Sequence, residues 1–98
     1  MLLRARIATE TGNRAIRNGT MERTLMSALE ALRPEAAYFF SDKGERSVFI
    51  VFDMERSSQL PAVTETFFME FGAEVQVQPV MNLDDLHTGL GELMGGRR

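Results

Sequence analysis

The chain has 98 residues, 44% of them hydrophobic, and its 11 Lys and Arg against 14 Asp and Glu give a formal net charge of −3. That length makes one domain with a thin core, burying roughly two-thirds of the unfolded surface, and scattered arginines in an acidic chain argue against a nucleic-acid partner. With no cysteine there are no disulfides, thiolate zinc sites or cysteine nucleophiles. No run approaches the ~20 apolar residues of a membrane span, and MLLRARIATE lacks a secretory core, so a cytoplasmic protein without a membrane partner is expected.

Leu2 to Ala8 alternates, with Leu3, Ala5 and Ile7 on one side and Arg4 and Arg6 on the other, which predicts a strand with one buried face. Residues 9–19 read as a loop punctuated by Gly12 and Gly19, with at most a helical turn around Arg14 to Arg17. GNRAIRNGT departs from the phosphate-loop pattern and is read as a solvated connection. Thr20 is placed as an N-cap, and Met21, Leu25, Ala28, Leu29 and Leu32 fall at helical spacing until Pro34 stops the helix.

AAYFFSDKGERSVFIVFDM is a hairpin with Lys43-Gly44 at its tip, pairing Phe40 with Ser47, Phe39 with Val48, Tyr38 with Phe49 and Ala37 with Ile50. Both faces are apolar: Tyr38, Phe40, Phe49 and Val51 on one, Phe39, Val48, Ile50 and Phe52 on the other. A second helix follows, capped by Ser57 or Ser58, with Pro61 in its first turn and Gly72 at its end. Ala73 to Val80 alternates again as an edge strand limited by Pro79. Asn82 caps a short third helix with a stripe of Leu83, Leu86, Leu90 and Leu93, weakened by Gly89 and Gly91. The domain is drawn over residues 1–94, with 95–98 as a flexible tail.

The order β-α-β-β-α-β predicts an α+β, ferredoxin-like domain: a four-stranded antiparallel sheet in the order 4-1-3-2, with two helices on one face and a short C-terminal helix. The uncovered face then carries the hairpin aromatics beside Arg4, Arg6, Glu74, Gln76 and Gln78. An apolar area of that size is rarely left in water, so the expected partner is a second copy packed sheet to sheet about a two-fold axis.

ETGNRAIRNGT, RPEAAYF, VFDM, SSQLPAV and PVMNLDDL, spread over nearly the whole chain, resemble an uncharacterised bacterial DUF3303-like family within the dimeric α+β barrel superfamily. That superfamily includes cofactor-independent monooxygenases, muconolactone isomerases, haem-degrading enzymes, stress-responsive barrels and ligand-binding regulatory domains, and fold alone does not choose among them. With the half-polar, half-apolar sheet face, the expected protein is a homodimer binding a small organic ligand, acidic or amphipathic, between its sheets, without a cofactor, or alternatively, as in that superfamily, a cofactor-independent oxygenase or isomerase on a small organic substrate.

The candidate ligand-binding residues are Arg4, Arg6, Tyr38, Gln76 and Gln78. Two guanidinium groups on a half-buried face need anionic partners; these are a ligand carboxylate or phosphate, or the chain's own Glu74 or Asp53. Tyr38 could orient a substrate or pass a proton, or simply sit at the rim of the core. His87 could act as a general base oriented by Asp84, three residues away, or be a solvated helix residue. A third ligand for a metal at that pair is not visible, so no metal is expected.

Overall fold

The computed structural model describes residues 1–95. The chain runs β1 (Leu2–Ile7), α1 (Thr9–Arg17), α2 (Thr20–Leu32), β2 (Ala36–Asp42), β3 (Glu45–Val51), a 3₁₀ turn (Ser57–Gln59), α3 (Leu60–Phe71), β4 (Glu74–Gln78) and α4 (Leu83–Gly95). All strand pairs are antiparallel, in the order β2-β3-β1-β4, which from the other edge reads β4-β1-β3-β2. The result is an α+β domain built on one four-stranded sheet.

Alternation sets the two faces of this sheet. Leu3, Ala5 and Ile7 of β1 and Val48 and Ile50 of β3 point to the helical side, where they pack with Ala15, Phe67 and Phe71. The half-buried stripe of α2, which includes Met21, Leu25, Leu29 and Leu32, closes that core from outside. Phe39 shares this side yet is 57% exposed, because it lies on the edge strand β2, which has no substantial packing against a helix.

The hairpin register agrees with the alternation: Phe40 faces Ser47, Tyr38 faces Phe49 and Ala37 faces Ile50. Lys43 and Gly44 both have positive φ (53° and 80°), the backbone that matches a two-residue turn to the right-handed twist of its strands. Gly72 ends α3 in the left-handed region, at φ 54°, where a side chain would be strained.

The expected loop over residues 9–19 is instead the helix α1, so the first crossover carries two helices. Gly12 is not a breaker there. It is buried, and a Cβ on it would come within 2.8 Å of Arg46 Nη1 and 3.5 Å of the Ile7 side chain. The inward face of α1 is Gly12 and Ala15, two small residues that let the helix lie close to the sheet. They leave no apolar stripe in the sequence to announce a helix.

Capping also differs from expectation. Thr20 is the first residue of α2 and Gly19 its cap, with the Thr20 N–H donating to Asn18 Oδ1 (2.9 Å). Neither Ser57 nor Ser58 caps the third helix. Gln59 Oε1 instead accepts the backbone N–H groups of Glu55 and Arg56, both at 2.9 Å. Asn82 caps α4 as its sequence suggests: its Oδ1 accepts the Asp85 N–H at 2.8 Å.

The leucine stripe of α4 is not packed. None of its residues is buried, and the helix has no substantial packing against another element. It makes the molecule long, 60 × 27 × 17 Å, with a radius of gyration of 16.3 Å against about 13 Å for a compact chain of this length. Gly95 closes this helix; the rest of the tail expected over 95–98 lies outside the described residues.

Removing a fully buried ring should expose how much rests on this core. Phe67→Ala is expected to lower the unfolding free energy by about 3–5 kcal/mol, against about 0.5 kcal/mol or less for Met26→Ala, whose side chain is 57% exposed. Urea denaturation followed by circular dichroism measures both, and equal losses would place the core elsewhere.

Candidate functional site

The face of the sheet away from α1–α3 is organised as three cross-strand rows. From β4 through β1 and β3 to β2 they are Gln78–Leu2–Val51–Ala36, then Gln76–Arg4–Phe49–Tyr38, then Glu74–Arg6–Ser47–Phe40. Beyond the third row, at the hairpin end, Asp42 stands opposite Glu45. The strand period of two therefore delivers a polar half, from β4 and β1, beside an aromatic half, from β3 and β2.

On the aromatic half, Phe49 receives the edges of two neighbours. Tyr38 lies at 5.5 Å and Phe40 at 6.1 Å between centroids, both nearly perpendicular to it, the arrangement favoured by ring quadrupoles. Tyr38 nevertheless remains 61% exposed. The Arg4 guanidinium lies 5.8 Å from the centroid of Phe40, which joins the two halves by a cation–π contact.

Both arginines are held by the chain's own carboxylates. Arg6 Nη2 donates to Glu74 Oε2 across the β1–β4 pair. Arg6 Nε lies 3.3 Å from Glu45 Oε1 and Nη1 4.0 Å from Asp42 Oδ2, while Arg4 Nη2 is 3.8 Å from the same Asp42 oxygen. Arg6 Nε is shielded from solvent and makes no aligned hydrogen bond. Glu74 is thus one partner foreseen from sequence. Asp53 is not in this set, since it lies past the opposite end of β3 beside Met1, Leu2 and Val51. Asp42 and Glu45 take its place, and Arg6 in return separates two carboxylates that would otherwise repel across the hairpin.

Arg4, Arg6, Asp42 and Glu74, with Lys43, border a shallow depression over the polar half. Three cations and two carboxylates line it, with Glu45 set behind Arg6 Nε, so Arg6 is already paired while Arg4, 46% exposed and 3.8 Å from Asp42, keeps donors open to a ligand.

Of the candidate residues, Arg4, Arg6 and Gln76 line this depression together. Tyr38 shares the row of Arg4 on the far strand, and Gln78 sits one row further along beside Leu2. His87 is exposed on α4, away from the sheet, and forms no ion pair with Asp84 among the described residues. Among these same residues no group of three or more metal-ligating side chains is placed to hold an ion, and no helix is long and apolar enough to cross a membrane. A separate groove runs between α2 and α3, bordered by small and aliphatic side chains such as Ala28, Ala31 and Ala62.

Comparison with known proteins returned no matching family model, no similar curated protein and no similar solved structure.

The Arg6–Glu74 pair is open to a direct test. Glu74 is 70% exposed and Arg6 25%, so a double-mutant cycle with alanine is expected to give a coupling of about 0.2–1 kcal/mol that declines as salt is raised. Arg6→Ala should cost more stability than Arg4→Ala, because it also leaves Asp42, Glu45 and Glu74 facing one another. Zero coupling at low salt would show that the pair does not form.

Proposed function

We propose that the protein is a homodimeric domain of the dimeric α+β barrel kind, that its two copies associate through their open sheet faces, and that the cleft so enclosed binds a small organic ligand. One observation carries the reading: the sheet face left free by the helices joins an exposed aromatic half to a charge-compensated polar half. Apolar surface of that kind is costly in water, and a two-fold axis supplies a matching face at no cost in new sequence.

The same chemistry defines the ligand. A flat or aliphatic body suits Tyr38, Phe40 and Phe49. A neutral or zwitterionic head suits Arg4, Arg6 and Gln76, because it exchanges hydrogen bonds with ion pairs already formed. Gln78 adds an amide at the margin. A carboxylate on the ligand suits Arg4, whose side chain is 46% exposed and whose carboxylate partner lies 3.8 Å away. No separate observation favours an oxygenase or isomerase over a binding module.

Tyr38 is the only tyrosine and there is no tryptophan, so intrinsic emission reports on this face alone. Sedimentation is expected to give a dimer at micromolar concentration, with Tyr38 emission changing on dilution at the same midpoint. Tyr38→Glu should weaken association at least tenfold, about 1.4 kcal/mol or more. A species that sediments as a monomer at every concentration, with constant emission, would end the proposal.

A further inference from the structure

The strongest unexplained feature is α4. Leu83, Leu86, Leu90 and Leu93 are between 41 and 80% exposed, and Met81 and Met94 are 67 and 70% exposed. The stripe is continuous, because residues three and four apart lie on one helix face. Such a helix alone in water is marginal at 13 residues, and its two glycines weaken it further. Its root is well made: Asn82 and Asp85 exchange backbone-to-side-chain bonds at 2.8 and 3.3 Å. It also lies beside the open face, where Val80, Met81 and Asn82 border a recess with Leu2, Phe49 and Val51.

We propose that α4 is an exchanged arm: in the homodimer, the α4 of each copy lays its leucine stripe on the β2–β3 half of the partner's open sheet face, so that each cleft is roofed by the other chain. This rests on the dimeric reading above and names what covers the aromatic half.

The dimensions agree. The stripe from Leu83 to Leu93 spans ~15 Å of helix axis, within the ~23 Å of a seven-residue strand. The arm offers on the order of 400 Å² of apolar side chain per copy. Two arms on two sheets bury on the order of 1,500 Å² in all, the size of a stable interface.

The arm does not lie on its own sheet. β4 ends at Gln78, and the link of residues 79–82 holds a proline and the helix cap. Val80 to Asn82 and Asp85 border the Leu2, Phe49 and Val51 end of the chain's own sheet, but beyond that root α4 has no substantial packing, so its leucine stripe is free for a neighbouring copy, as in exchange of an element between protomers.

Two consequences follow for the cleft. A helix laid on the aromatic half is a spacer, which keeps the polar halves of the two sheets from closing on each other. His87 borders the leucine stripe, one residue after Leu86, so a docked arm carries an imidazole to the margin of the partner's cleft. The site is then composite: the arm takes the Tyr38 and Phe49 side of the aromatic half, and the ligand is left Arg4, Arg6 and the Phe40 rim from one copy and His87 from the other.

A chain without cysteine makes the test clean. Leu86→Cys protein and Ala36→Cys protein, each made separately, are mixed and treated with a flexible bismaleimide. The expected product is a cross-link between the two variants. A cross-link formed equally by Leu86→Cys protein alone would mean that α4 pairs with α4, and would overturn the exchange. Leu86→Glu/Leu90→Glu is expected to weaken dimerisation at least a hundredfold while leaving the circular dichroism melt of the monomer unchanged, since neither residue is in the core. A wild-type dimer matched in affinity by this variant would overturn the arm but leave the dimer intact; a wild-type monomer would overturn both.

Discussion

Alternation along β1 is the constraint from which the rest proceeds. Leu3, Ala5 and Ile7 can be buried together only if Arg4 and Arg6 emerge on the opposite side. Because β1 is central and pairs with both β3 and β4, that choice sets the register of every row across the sheet. Phe49 and Tyr38 are brought into line with Arg4, and Ser47 and Phe40 into line with Arg6. A slip of one residue would drive guanidinium groups into the core, where unpaired charge is far too costly to bury. The aromatic surface outside is therefore tied to the aliphatic core inside.

The ion pairs on the open face are better understood as organisers of that surface than as sources of stability. Exposed pairs contribute little, and Arg6 is shared among Glu74, Glu45 and Asp42, with its Nε left without an aligned hydrogen bond. What the sharing does accomplish is geometric. It gathers the ends of all four strands, β1, β4 and the β2–β3 hairpin, around one guanidinium, and it lowers the net charge of the depression. A planar group with five donors is suited to that role in a way a lysine is not.

Much of this was legible in the sequence because it follows from period-two and helical patterns. The four strands, the hairpin register and the stop at Gly72 all come from residues whose signal is local. α1 was illegible for a physical reason: its buried face is Gly12 and Ala15, and small residues chosen for close approach look the same as residues chosen for a turn. Glu74 was foreseen as a partner of the arginines, but Asp42 and Glu45 were missed in favour of Asp53. The hairpin register alone places Asp42 opposite Glu45; adding the β1–β3 pairing would have set both one row beyond Arg6. The exposure of the α4 stripe could not be read at all, because an amphipathic pattern specifies that a face seeks cover without specifying where that cover is.

The methionines have a bearing of a different kind. Seven are present and cysteine is absent, so thioethers are the chain's only sulfur chemistry. Met81 and Met94, at the two ends of the leucine stripe, are among the most solvent-accessible of them. Peroxide converts an accessible thioether to a sulfoxide, replacing a soft apolar contact by a strong dipole. Helix α4 thus carries an oxidisable group beside each end of its stripe, and sulfoxide reductases could restore what an oxidant had taken away.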